Sequence, residues 1–98
     1  MTINKTATDT ALTLALEGRL DPTTAPALEE ELKNSLEGVA ELTLDFEKLE
    51  YISSAGLRVL LSAQKQMNKQ GKMTIRNVCA DIMEVFEITG FSDILTVE

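Results

Sequence analysis

The sequence predicts an α/β domain, a mixed β-sheet with helices mainly on one face, in the order β-β-α-β-α-β-α-β. Three observations predict it. Short stretches alternate apolar and polar residues, as half-buried strands do. Between them the apolar spacing switches to the three-and-four pattern of amphipathic helices, with capping and stop residues at the switches. A hairpin-like pair opens the chain, whereas each later strand follows a helix, as right-handed parallel crossovers require. Strands that alternate, instead of being apolar throughout, imply helices over one face and an open second face.

The elements follow in order. Ile3 and then Leu12, Leu14 and Leu16 mark two strands, with Thr8-Asp9-Thr10 as the turn and Gly18 ending the second. Asp21-Pro22-Thr23-Thr24 is a helix entrance. A cap at Thr24 places Pro26 in the first turn, where proline is tolerated. Ala25, Leu28, Leu32 and Leu36 then share a face, opposite Glu29, Glu30, Lys33 and Glu37, and Gly38 is a terminator. Leu42, Leu44 and Phe46 predict a third strand, followed by a short polar loop, Glu47-Lys48-Leu49-Glu50. After Tyr51-Ile52-Ser53-Ser54-Ala55-Gly56 the period turns helical: Leu57, Leu60, Leu61, Gln64 and Met67 mark one face, and Gly71 stops the helix. Met73 and Ile75 give a fourth strand. Asp81 to Thr89 gives a third helix, with Asp81 and Glu84 at the spacing of a capping box and Gly90-Phe91 as the stop. Ile94 to Val97 is expected as a last short strand.

Ninety-eight residues, 44% of them hydrophobic, suit one domain spanning 1–98 with a single core. With no Trp, one Tyr and three Phe, that core must be built from Leu, Ile, Val and Met. Sixteen acidic against nine basic residues give a net charge of -7, which opposes binding to nucleic acid and to anionic membranes. No apolar run approaches the roughly 18 residues of a membrane span and no leader precedes the first strand, so a cytoplasmic location is expected. The chain has no histidine and one cysteine. This excludes Ser-His and Cys-His nucleophilic sites and a conventional structural zinc, and no acidic cluster has metal spacing. No cofactor, no metal and no enzymatic activity are expected. Cys79 reads as a small buried hydrophobe.

The segment richest in chemistry is Leu42-Thr43-Leu44-Asp45-Phe46 through Tyr51-Ile52-Ser53-Ser54-Ala55-Gly56-Leu57. It sets two adjacent hydroxyls where a loop becomes a helix. Unpaired N–H groups at a helix start are capped by a hydroxyl and tolerate a phosphate. By position, Ser53 or Ser54 serves as the cap, and neither is thereby a modification site. A nucleophile elbow is absent, since Ile52 stands where a glycine is required and no base exists. Asp45 reads as a solvent-face strand residue, because no earlier acidic pair accompanies it to hold Mg²⁺.

Taken together, three segments resemble the STAS-domain family, specifically the single-domain anti-sigma-factor antagonists of bacteria. They are Gly18-Arg19-Leu20-Asp21-Pro22-Thr23-Thr24-Ala25, similar to G-x-L-D-x-x-T-A; Leu44-Asp45-Phe46 with Leu49 and Tyr51 to Leu57, similar to the strand, loop and D-S-S/A-G-L turn; and Phe86-Glu87-Ile88-Thr89-Gly90-Phe91, similar to F-x-x-x-G-[LF]. Their order and spacing cover nearly the whole chain.

The resemblance implies a partner switch. The unphosphorylated antagonist binds an anti-sigma factor that is also a serine kinase, freeing a sigma factor; phosphorylation weakens the complex and a serine phosphatase restores binding. Residue by residue, the phospho-acceptor is Ser54. Ser53 stands where the family has Asp and is the alternative acceptor, and Ala55 removes a further hydroxyl. Asp21, Thr23, Thr24, Ser53, Ser54, Gly56 and Leu57 match positions near the family's contact surface. Asp21 equally suits bracing the helix entrance, and Gly56 and Leu57 equally suit close packing and a core anchor. A STAS domain that serves as a cytoplasmic subunit of a transporter or signalling scaffold, without serine phosphorylation, is the alternative.

Overall fold

Period-two alternation decides the sheet. The computed structural model describes residues 1–98. Its elements are β1 (Thr2–Thr8), β2 (Ala11–Leu20), α1 (Ala25–Ser35), β3 (Glu41–Ile52), α2 (Ser54–Gln70), β4 (Lys72–Arg76) and α3 (Ala80–Thr89), followed by a 3-10 turn at Phe91–Asp93. The sheet order is β1-β2-β3-β4. The β1–β2 hairpin turns at Asp9-Thr10, with Asp9 in the left-handed region at φ 51°, and the β2–β3 and β3–β4 pairs are parallel. This is the predicted mixed sheet.

One face of the sheet supplies Leu12, Leu14, Leu16 and Leu20 from β2, Leu42, Leu44, Phe46, Leu49 and Ile52 from β3, and Met73 and Ile75 from β4. These join Ala25, Leu28 and Leu32 of α1, the α2 face and Ile82 and Phe86 of α3 in one cluster of 23 buried residues. Phe86 meets Phe46 at 6.5 Å between ring centroids, tying α3 to the middle of β3. The other face, with Thr13, Ala15, Thr43, Asp45 and Thr74, is only half-buried. The helices therefore lie on one side.

Several expectations are corrected. The polar stretch Glu47 to Glu50 is not a loop but the continuation of β3, which gains one extra residue against β2 at each of two register shifts. Each such bulge rotates the strand by half a period, so Phe46, Leu49 and Ile52, three apart, all reach the core. Gly18 does not end β2; it sits at φ 99° beside the second shift, and the strand runs on to Leu20. The last strand is reduced to one parallel bridge, Val97 to Ile75, because Phe91–Asp93 winds into the 3-10 turn and shortens the tail's reach.

On the helices, Thr24 precedes α1 with proline in the first turn, as predicted. In α2, Val59 and Ala63 are buried with Leu57, Leu60, Gln64 and Met67, whereas Leu61 is half-exposed at the stripe's edge. Cys79, not Asp81, precedes α3, so Asp81 lies inside the first turn, where its charge still suits the helix dipole, and no capping box forms. Cys79 is exposed, contrary to expectation: it is the extended residue just before the first turn of α3, outside the buried face of that helix. Gly90 ends α3 at φ 80°, the left-handed stop the sequence announced.

Candidate functional site

The site is assembled where β2 and β3 end. The backbone N–H of Ser53 donates to the Leu20 carbonyl at 2.9 Å, which fixes the start of α2 against the start of the α1 turn. Both loops thus stand on one rim of the sheet.

In the first loop Asp21 is the organiser. Its Oδ1 accepts from the Thr23 N–H at 2.9 Å, the Thr23 hydroxyl at 2.7 Å and the Thr24 N–H at 3.1 Å. Thr24 works backwards, accepting from the Asp21 N–H at 2.9 Å and donating to the Arg19 carbonyl at 2.7 Å, and makes no forward cap bond. Asp21 therefore does brace the helix entrance. The Thr23 hydroxyl bond, with the Thr23 and Thr24 amides behind it, holds the Asp21 carboxyl below its ordinary value near 3.8 despite some desolvation. On the open face Asp45 is lowered in the same direction, first by the Asn77 amide at 3.0 Å and then by the Glu47 N–H at 3.0 Å.

A depressed folded-state value means the carboxylate stabilises the fold above the unfolded value, near 3.8, and that this is lost as pH falls through the folded value. Asp21→Asn keeps an acceptor oxygen but cannot titrate. Acid unfolding followed by circular dichroism should show a shallower loss of stability below about pH 4 for Asp21→Asn than for the wild type. Superimposable acid limbs would remove Asp21 from the acid response.

In the second loop the two serines part company. Ser53 precedes α2 in an extended conformation, and its hydroxyl accepts from the Gly56 N–H at 3.4 Å, a long capping bond; its carbonyl takes the Leu57 N–H at 3.0 Å. Ser54 is the first residue of α2, exposed, and its hydroxyl has no hydrogen-bond partner in the protein. No acidic residue occupies the first turn of α2.

Gly56 and Leu57 lie beneath this surface, not on it. A Cβ on Gly56 would stand 2.7 Å from Leu20 Cγ and 2.9 Å from Ile52 Cγ1, so only glycine lets α2 settle on the strand ends. Leu57 is 6% exposed. Of the two uses the sequence left open for these residues, their burial fits close packing and a core anchor, and they position the loop from below. Of the seven sequence-predicted residues, Asp21, Thr23, Thr24, Ser53 and Ser54 stand together on the rim. Beside them a hollow of about 200 Å³ opens between Pro22 and Pro26 on one side and Ala55, Arg58 and Val59 on the other.

One feature escaped sequence reasoning. The Arg19 guanidinium lies 4.2 Å over the Tyr51 ring, and its Nε approaches Asp21 Oδ2 at 3.9 Å. The two residues are register partners only because the second β3 shift pairs Arg19 with Tyr51, which no local pattern announces. No group of three or more His, Cys, Asp or Glu side chains converges as a metal site, and no helix is long and apolar enough to cross a membrane.

A single-face mixed sheet with two braced loops on one rim defines a class. The family model of the STAS domain matches residues 2–98, and the chain belongs to the STAS-domain family. It is 40% identical over 91 residues to BtrV of Bordetella bronchiseptica, named provisionally as an anti-sigma factor antagonist, covering 91% of this chain and 78% of that protein. It is 31% identical over 83 residues to the anti-sigma-B factor antagonist of Bacillus subtilis, covering 84% and 76%. Among solved structures, an anti-sigma factor antagonist from Mycobacterium paratuberculosis superposes with a TM-score of 0.88 at 21% identity, over 98% of this chain and 83% of that one. The antagonist SpoIIAA superposes in its unphosphorylated form with a TM-score of 0.78 at 17% identity, over 99% and 87%. At such identities these structures speak for the fold.

Proposed function

We propose that this domain is an anti-sigma-factor antagonist controlled by phosphorylation of Ser54. It binds an anti-sigma factor that is also a serine kinase, and so releases a sigma factor. Phosphate on Ser54 weakens the complex and a serine phosphatase restores binding. The domain is the substrate of this cycle and catalyses nothing itself. The observation that carries the reading is the division of labour between the serines: Ser53 is committed to capping α2, while the Ser54 hydroxyl is exposed and unpaired. The names of the similar proteins support the antagonist role.

The physics needs no change of fold. A phosphate adds about -1.5 to -2 charges, which the open N-terminal turn of α2 accepts inside the domain. Against a partner's surface the same charge must be desolvated, and a loss of about 1.4 kcal/mol lowers affinity tenfold.

Phosphopeptide mapping of the protein isolated from its host, with co-purifying proteins identified, tests this. Phosphate is expected on Ser54, and Ser54→Ala is expected to bind a serine-kinase anti-sigma factor at least about tenfold more tightly than Ser54→Asp. Phosphate on Ser53 instead would transfer the role to that residue. No phosphate under any growth condition, with a transporter or scaffold as the stable partner, would replace the switch by the alternative use of the fold.

A further inference from the structure

We infer that the stacked Arg19–Tyr51 pair is a docking anchor for a carboxylate side chain of the protein partner. This rests on the antagonist reading and extends the partner's footprint from the Ser54 rim onto the open face of the sheet. Leu20 and Ile52 point into the core, so their strand neighbours Arg19 and Tyr51 project to the opposite face.

The pair is built for recognition. The Tyr51 ring and the Asp21 carboxylate hold the guanidinium from two sides, at 4.2 Å and 3.9 Å. Asp21 is itself fixed by Thr23 and Thr24, so the arginine is ordered before any partner arrives. Its outer nitrogens make no hydrogen bond within the protein, and its side chain remains 59% exposed. A planar fork of free donors matches a carboxylate bidentately. Tyr51, 40% exposed, is one of four large hydrophobic residues the fold leaves at the surface, and Tyr and Arg are the residue types that dominate interface energies.

Charge selects the class of occupant. Asp21 stands against the guanidinium, on a chain of net charge -7. A polyanion such as nucleic acid or an anionic membrane is repelled by that surround, whereas a single carboxylate on a protein surface meets the fork alone.

The probes are the host's serine-kinase anti-sigma factors, purified one by one, with affinities measured by calorimetry. Arg19→Ala and Tyr51→Leu should each weaken binding about tenfold or more. Arg19→Lys should lose nearly as much, because lysine keeps the charge but neither the fork nor the stack. Lys72→Ala, at the opposite end of the strands, should stay within about twofold. Melting curves establish that each variant is folded. Arg19→Ala and Tyr51→Leu binding as wild type, while Ser54→Asp abolishes binding, would overturn the anchor and leave the switch standing. Ser54→Asp binding as tightly as Ser54→Ala would instead overturn the switch.

Discussion

Gly71→Ala is expected to cost about 3 kcal/mol or more, a large share of the roughly 5–15 kcal/mol that holds a domain of this size together. Gly71 closes α2, its N–H donating to the Met67 carbonyl at 2.7 Å. A Cβ there would fall 1.8 Å from the Ala40 carbonyl oxygen and 2.6 Å from its carbon. That carbonyl cannot withdraw freely, because it accepts the Lys72 N–H at 2.9 Å at the point where β4 begins. A side chain meeting this obstacle could rotate; backbone cannot without breaking the junction. Urea unfolding measures the effect, and an unfolding free energy, by the usual linear extrapolation, within about 0.5 kcal/mol of wild type would mean that the junction relaxes.

Leu57→Ala is expected to destabilise by about 2–5 kcal/mol. The side chain is buried in the central cluster, one turn into α2. Because it supports the Ser54 loop without presenting surface, partner affinity measured well below the melting temperature should remain within about twofold of wild type. The reverse pattern, wild-type stability with lost binding, would move Leu57 from the core to the contact surface.

Much of this could be read from the residues alone. Leu12, Leu14 and Leu16, and Leu42, Leu44 and Phe46, obey the two-residue period without interruption, and their strands stand where that period places them. The spacing of Leu57, Leu60, Gln64 and Met67 did the same for α2. Reading failed where the period breaks. Leu49 and Ile52 return to the core three residues after the preceding apolar position because β3 is bulged, and the polar residues between them imitate a loop. A repeated three-residue spacing was the available signal. The Arg19–Tyr51 stack depends on the same bulge and was therefore hidden with it. For the serines, sequence located the helix start but could not choose the cap; one residue of register decides whether Ser53 or Ser54 turns its hydroxyl back to the Gly56 amide. The buried Gln64 carbonyl oxygen, left without a partner while its amide donates to Asn68 at 2.8 Å, has no counterpart in any pattern.

The parallel pairing of β2 with β3 and of β3 with β4 has a kinetic consequence. Facing residues such as Leu14 and Leu44, or Leu44 and Ile75, are separated by about thirty residues of chain. Only the β1–β2 hairpin closes locally. Loop-closure entropy must be met before the central pairings return any stabilisation, so the hairpin and the helices can form early while the sheet waits for its long-range partners. The bond from the Ser53 amide to the Leu20 carbonyl joins residues equally far apart in the chain, so by the same argument it belongs with the late contacts. A nascent or partly unfolded chain therefore lacks Ser54 in its capped setting, and an enzyme that recognises this loop by shape acts only on molecules that have finished folding.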